Sequence, residues 1–415
     1  MRLSLHRATL DYGGGLVLHT AASGRVASLD ALYLRLVDDA GVEAVGEVRL
    51  NIAYLTGLAA ETVLAEALDL VPRLDLAADP EALLADAPEA LASASASLRM
   101  LVDMALHDRA AKQAGLPLAT WLVRKNPHPL PLPTRGRGTL TLSPLSEGEA
   151  QASRNSPPPC GEGLEVGART ATGHAEAISH PTNQTLSISD DATVLSRAET
   201  YVARGFRDLK VRVGAGDFAD DLRRLRLLRD RFGDDVKLAA DANGGWSLED
   251  APRRLGDLEP FRLAYLEQPV APRGFDDLAR LAEDSPVPIM LDESVSDARS
   301  IADLCAGGHR LMAHLKLVKL GGLGPTVDAA RRLKDAGVPI MIGQMNEGGL
   351  ATAAALHACA AVGPRFAELY GADGLENDPT QGLVYRDGTV AAPARPGLGL
   401  GFMADHTQTL WEDEI

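Results

Sequence analysis

Residues 236–294 read VKLAADANGGWSLEDAPRRLGDLEPFRLAYLEQPVAPRGFDDLARLAEDSPVPIMLDES, and this stretch decides the fold. Three short apolar runs, VKLAAD (236–241), LAYLE (263–267) and VPIMLDE (287–293), are separated by polar, helix-forming segments. Short apolar runs between turn residues are the pattern of strands buried on both faces of a parallel sheet. The same pattern extends outward. TLSIS (185–189) and DLKVRV (208–213) precede it; MAHLKL (312–317), VPIMIG (338–343) and FAEL (366–369) follow. Helix-like runs such as FADDLRRLRLLRDRF and GPTVDAARRLKDAG fill the spacers. Eight strands at about 25-residue spacing predict a parallel α/β fold, and eight favours a closed barrel of TIM type over an open sheet.

The flanks read differently. In residues 1–60, LYLRLVDD (32–39) alternates apolar and polar residues as a half-buried strand does, and GEVRL (46–50) reads as its return strand. Residues 61–122 are helix-like, the second helical stretch being bracketed by Pro80 and Gly115. Together these predict a small α+β capping domain over 1–123. The segment 124–181 is rich in Pro, Gly and Ser and has no sustained apolar period. It is expected to be a disordered insertion, because it cannot bury enough surface to offset its ordering entropy. The barrel is then expected over 182–372, and the turn-rich tail 373–415 is expected to return to the cap.

Composition narrows the function classes. The chain has 415 residues, 46% hydrophobic and 24% charged, with a formal net charge of −16. An acidic balance argues against nucleic acid or an anionic membrane as partner, since phosphate binding needs clustered Lys and Arg. No apolar run is long enough to span a bilayer, and the start MRLSLHRATLDYGGG lacks the apolar core of a signal peptide. Cys160, Cys305 and Cys359 lie far apart and form neither a disulfide framework nor a thiolate metal motif. A cytoplasmic homo-oligomer acting on a small molecule is the expectation.

Active sites of parallel barrels sit at the C-terminal ends of the strands. Three successive strands end in carboxylates, Asp241, Glu267 and Asp292, 26 and 25 residues apart, one strand–helix unit each. Three anions side by side repel one another, and a hard divalent cation with oxygen ligands, Mg²⁺, is the natural partner. Asn243, Glu293 and Glu347 lie just beyond strand ends. Lys210 and Arg212 are two apart on one strand and so share a face. Lys316 lies on the sixth strand, across from them. A lysine beside a metal ion and another cation has a lowered pKa and can serve as a base near neutral pH.

The strings GFRDLKVRVG, LAADANGGW, YLEQP, MLDES, HLKLVKLGG and GQMNEGG, with VGE (45–47) and DMALHDRAAKQAGLPL (103–118), together resemble the enolase superfamily, specifically its muconate-lactonizing and mandelate racemase members. The resemblance covers nearly the whole chain apart from 124–181. It implies an α+β cap on a modified (β/α)7β barrel and Mg²⁺ held by Asp241, Glu267 and Asp292. It also implies a reaction that begins by removing the proton α to a substrate carboxylate. Glu347 is similar to a strand-seven acid of the family.

Two positions depart from the family's pattern. The family usually carries Lys-x-Lys on strand two, where this chain has Lys210 and Arg212. Taking arginine from above ~12.5 to near 7 costs roughly 7 kcal/mol, so Arg212 is a poor base but a good carboxylate holder. Lys316 is then the expected proton-transfer residue, with Arg212 and Lys210 holding the substrate or enolate; the plain alternative for these cations is salt bridging to the three acids. His314 stands where members often have Asn; it is expected either to orient Lys316 or donate to substrate, or to be a plain hydrogen-bonded core histidine. Lys319 is expected to support the Gly321–Gly322 turn. The leading expectation is an epimerase, racemase or cycloisomerase. A lyase of the acid-sugar dehydratase type is the second, and a degenerate carboxylate-binding protein the third. Specificity is expected from cap loops near 13–25 and 51–58, and no base or metal ligand is expected from the cap.

Overall fold

A computed structural model of the chain describes residues 1–13, 18–20, 24–125, 177–307 and 310–414. The cap is built on three antiparallel strands, β1 (Arg2–Asp11), β2 (Ser28–Val37) and β3 (Glu43–Arg49), paired from Arg2↔Val37 to Asp11↔Ser28 and from Val37↔Glu43 to Ala31↔Arg49. Helices α1 (Ala60–Leu70), α2 (Pro80–Ala90), α3 (Ala96–Gln113) and α4 (Leu118–Lys125) follow. Proline at the first position of α2 and the Asp79 carboxylate accepting from Ala82 N–H start that helix, and Ser95 Oγ accepts from Leu98 N–H to start α3. The helical stretch expected to run unbroken from Pro80 to Gly115 is therefore two helices, interrupted over 91–95. LASASAS reads as helix-compatible, but serine also caps, and here Ser95 does so.

Helix α3 lies between the cap sheet and the barrel and is buried along most of its length. It approaches β3 so closely that a Cβ on Gly46 would lie 2.0 Å from the Leu101 carbonyl oxygen. On its other side the Asp103 carboxylate accepts from Leu323 N–H (2.5 Å) and Gly324 N–H (3.3 Å), the start of a barrel helix.

The barrel strands are β4 (Gln184–Leu186), β5 (Asp208–Arg212), β6 (Lys237–Asp241), β7 (Leu266–Glu267), β8 (Ile289–Leu291), β9 (Leu311–Lys316), β10 (Ile340–Gly343) and β11 (Phe366–Glu368). They pair in parallel in sequence order. Asn183 N–H donating to the Ala367 carbonyl (3.1 Å) joins the first strand to the last and closes the barrel. All eight strands fall on the apolar runs read from the sequence. Most runs extend past their strands: LAYLE and VPIMIG do so at the start, and VPIMLDE at both ends.

The insertion expected over 124–181 falls mostly on 126–176, outside the described residues. Its two ends are regular structure: Arg124 and Lys125 finish α4, and Ala177–Pro181 is a strand antiparallel to Thr389–Pro393. The tail contacts the cap through β12 (Gln408–Glu414), which pairs with β1. Cys305 and Cys359 are free thiols. No described helix is long and apolar enough to cross a membrane.

Candidate active site

The strands stack their inward side chains in layers, because residues two apart on a strand share a face. Ala239, Tyr265, Met290, Met312, Met341 and Phe366 pack as one apolar cluster, the barrel's plug. Two residues further along each strand stand Asp241, Glu267, Asp292, His314, Gly343 and Glu368. All the polar members of this second layer are buried, with Lys210 fully enclosed among them.

Every charge in this layer has a partner, as burial demands. Lys210 Nζ lies 2.9 Å from Glu267 Oε2 and 3.5 Å from Asp241 Oδ2, and it pairs with Glu368. Arg212 pairs with Asp241 and donates to Asn243 Oδ1 at 3.0 Å. Asn243 takes a left-handed backbone (φ 44°), which turns its N–H back to Asp241 Oδ1 at 2.8 Å. Lys316 Nζ donates to Asp292 Oδ2 at 2.6 Å, and Lys319 Nζ reaches Asp292 Oδ1 (2.6 Å) and the His314 carbonyl (2.9 Å).

Above this layer, between barrel and cap, is a cavity of about 520 Å³. Arg212, Asn243, Asp292, Glu293, Lys316 and Glu368 face it from the barrel. Strands β5 and β9 are four positions apart in an eight-stranded sheet, so Arg212 and Lys316 sit on opposite sides of it. Lys210, Asp241, Glu267 and His314 lie beneath and do not line the cavity, and Glu347 is buried beside it. The cap contributes Tyr54, Leu55, Thr56 and Leu58, from the expected loop 51–58. The other expected loop, 13–25, falls largely outside the described residues.

Three residues take definite places here. Lys210 does not line the cavity: it stands one step deeper in the barrel than Arg212, as a salt-bridge partner of the surrounding acids. His314 turns its Nδ1 to Glu267 Oε1 (2.9 Å), not to Lys316 or to the cavity. Lys319 does more than brace a turn: it neutralises Asp292 and lines the cavity wall. Two charged lining residues were not foreseen. Glu368 ends the eighth strand as Asp241 and Glu267 end theirs, with Asp292 one residue past its own, so the same strand-end signal marks it. Arg49, on the cap, donates to the carbonyls of Met345 and Asn346 in the barrel loop, a contact visible only once the domains meet.

The electrostatics follow from burial against charge. Burial would lower the Lys316 ammonium, but attraction to Asp292, then Glu368 and Glu267, outweighs it and raises the pKa. The lowered lysine expected from the sequence is thus a charged one while Asp292 is its partner. Burial would raise Asp292, but Lys316 and Lys319 hold it well below the carboxylate range. Burial, with Asp292 and Asp241 adding repulsion, pushes Glu293 up to about 7. Burial likewise pushes Glu347 up to about 7. Carboxyls outnumber cations in this region, and Glu293 Oε2 and Glu347 Oε1 have no hydrogen-bond partner. A surplus of buried carboxyl groups is what a divalent cation would balance. Among the described residues, the ligand atoms of Glu267, His314 and Glu368 lie within 4.8 Å of one another and could also hold a metal ion.

Residues 193–406 match the family model described as enolase C-terminal domain-like. Among curated proteins, the chain is 32% identical over 225 residues to L-Ala-D/L-Glu epimerase of Bacillus subtilis (strain 168), covering 53% of this chain and 61% of that protein. It is 34% identical over 230 residues to chloromuconate cycloisomerase of Pseudomonas putida, covering 54% and 62%. The matched parts thus span about three fifths of these relatives' length. Over 96% of this chain and 98% of the other, its structure resembles a substrate-liganded complex of the B. subtilis epimerase, with a TM-score of 0.76 and 25% identity. The dipeptide epimerase from Cytophaga hutchinsonii, complexed with Mg and the dipeptide D-Ala-L-Val, shares the fold at a TM-score of 0.79 and 22% identity, covering 99% and 98%. With a family match across the barrel, the chain belongs to the enolase superfamily, in the branch of the mandelate racemases and muconate-lactonizing enzymes.

Proposed function

We propose that the protein is a Mg²⁺-dependent isomerase, an epimerase, racemase or cycloisomerase, that removes the proton α to the carboxylate of a small substrate. The observation that carries this reading is Lys316 facing Arg212 across a cavity whose floor holds surplus carboxyl groups. Asp241, Glu267 and Asp292 would hold the cation, with Glu293 beside them. When bound, a dication supplies the positive charge that an enolate needs as it forms.

The chain's own residues do the rest. Arg212 offers a planar fork of donors to the substrate carboxylate. Asn243, bonded to both Arg212 and Glu293 (Nδ2 to Oε1, 3.3 Å), fixes where that fork points. Lys316 becomes a base when the charge of Asp292 is taken up elsewhere, since that attraction is what outweighs burial. Its Nζ then accepts the α-proton and returns it. Lys319 keeps its three acceptors and stays a counter-ion. Tyr54, Leu55 and Leu58 give the upper cavity an apolar wall. Lys210 acts as a buried cation that holds Glu267 and Glu368, in place of the substrate contact expected of it.

With one lysine base facing the cavity, the reading favours chemistry that one proton donor and acceptor can complete. A dehydrating lyase is the second reading, favoured by Glu293: a cavity-facing carboxyl with a pKa of about 7 can donate a proton to a departing hydroxide.

The test is α-proton exchange in D₂O, followed by NMR with Mg²⁺ across dipeptides, N-acylamino acids, diacids and sugar acids. Lys316→Ala should abolish exchange of any substrate the wild type turns over, and retained exchange would overturn the assignment. A new α-epimer or lactone supports the isomerase. Loss of water with a new keto group supports the lyase.

A further inference from the structure

In the polar layer above the barrel plug, β10 contributes Gly343, which has no side chain. The space is not empty. The imidazole of His314, on the neighbouring strand β9, occupies it: a Cβ on Gly343 would lie 2.2 Å from His314 Nε2. The register pairs these strands with Lys316 opposite Gly343 and His314 opposite Met341, so the ring reaches along the strand direction into the gap.

Its hydrogen bonding fixes its tautomer. Nδ1 lies 2.9 Å from Glu267 Oε1, and an ionised carboxylate can only accept, so Nδ1 carries the proton. Nε2 has no partner, packed as it is against the glycine. The other oxygen of Glu267 accepts from Lys210 at 2.9 Å. Glu267 is therefore gripped at both oxygens, by an imidazole N–H and by an ammonium, and cannot rotate.

We propose that His314 is a positioning residue that fixes the Glu267 carboxylate for cation binding, and that Gly343 is the gap that admits its ring. This rests on the reading of Asp241, Glu267 and Asp292 as the metal site. A hydrogen bond to a ligating carboxylate holds its lone pairs toward the ion, and losing such a bond typically costs 10–100-fold in metal affinity. The chemistry needed at position 314 is one N–H at the δ position. Asparagine carries its amide nitrogen there, and leucine fills similar space without a donor.

The experiment is a Mn²⁺ titration of the full chain followed by electron paramagnetic resonance, with thermal melting recorded for each variant. His314→Leu should bind Mn²⁺ 10–100-fold more weakly than wild type. His314→Asn should bind close to wild type. Gly343→Ala keeps every donor but displaces the ring, and should weaken binding in the same direction as His314→Leu. Folded His314→Leu with unchanged affinity overturns the proposal. If that variant does not fold, unchanged affinity in Gly343→Ala overturns it instead. A wild-type protein that binds no Mn²⁺ overturns the metal reading itself, and this inference with it.

Discussion

Arginine at position 212 is the residue that most separates this chain from its family's usual pattern, and its surroundings say what it is for. Its guanidinium is buried, paired with Asp241 and bonded to Asn243, yet it still borders the cavity. A fork in that setting binds a carboxylate and does not take protons. Arg212→Ala should weaken substrate binding roughly 10–100-fold, since hydrogen bonds to charged groups are worth about 1.5–3 kcal/mol. Lys316-dependent exchange at saturating substrate should survive, and its loss there would show that Arg212 also moves the proton. The neighbour two residues back behaves differently. Lys210 and Arg212 share a face, and the sequence shows that much. Which one reaches the cavity depends on depth in the barrel, one step of the two-residue repeat, and only the packed plug beneath sets that zero.

Helix α5 (Gly349–Val362) shows how elements tie the domains together. Its first turn presents free N–H groups, which the Glu47 carboxylate of the cap meets at Gly348 (2.6 Å) and Ala351 (3.0 Å), and Asp378 meets at Gly349 (2.7 Å). Further along, His357 accepts from Ala119 N–H at Nδ1 (3.0 Å) and donates from Nε2 to the Leu398 carbonyl (3.2 Å). Only the neutral ring can do both. Burial accordingly pushes its pKa down from 6.5 to about 4. Below pH 6.5 the unfolded chain takes up a proton that the folded one refuses, so stability falls as pH falls. The loss is complete below about pH 4 and amounts to about 3 kcal/mol. The gap in urea stability between wild type and His357→Gln should change by that amount from pH 8 to 4, and a constant gap would refute it. At this scale the barrel strands were readable because each is an apolar run closed by turn residues. The strand Ala177–Pro181 was not, because it lies at the end of a Pro-rich stretch and its partner is some two hundred residues away.

For the molecule as a whole, cap and barrel share one cavity, and each is incomplete without the other. Arg49 of the cap holds the loop that carries Met345, whose Sδ lies 3.3 Å from Lys316 Nζ. The carboxyl surplus beneath makes the folded chain a better host for a dication than the unfolded one. At a concentration one hundred times the dissociation constant, Mg²⁺ should add about 2.7 kcal/mol of stability, seen as a rise in melting temperature that excess EDTA reverses. No shift at any Mg²⁺ concentration would speak against the site. The acid-ended strands and the two-domain plan were legible from the residues. The sorting of the acids into buried and cavity-facing members was not, since it follows from which cation pairs with which acid.

The sheet of the cap pairs β1, near residue 2, with β12, near residue 414. During synthesis β1 therefore waits, one edge unpaired, while the barrel is made. Long-range pairing of this kind is slow, because loop closure must precede any gain from contact. An open strand edge is also a template for other chains. The last event of folding should then be the docking of β12, and its absence should leave the protein prone to edge-to-edge association while the barrel strands keep their order.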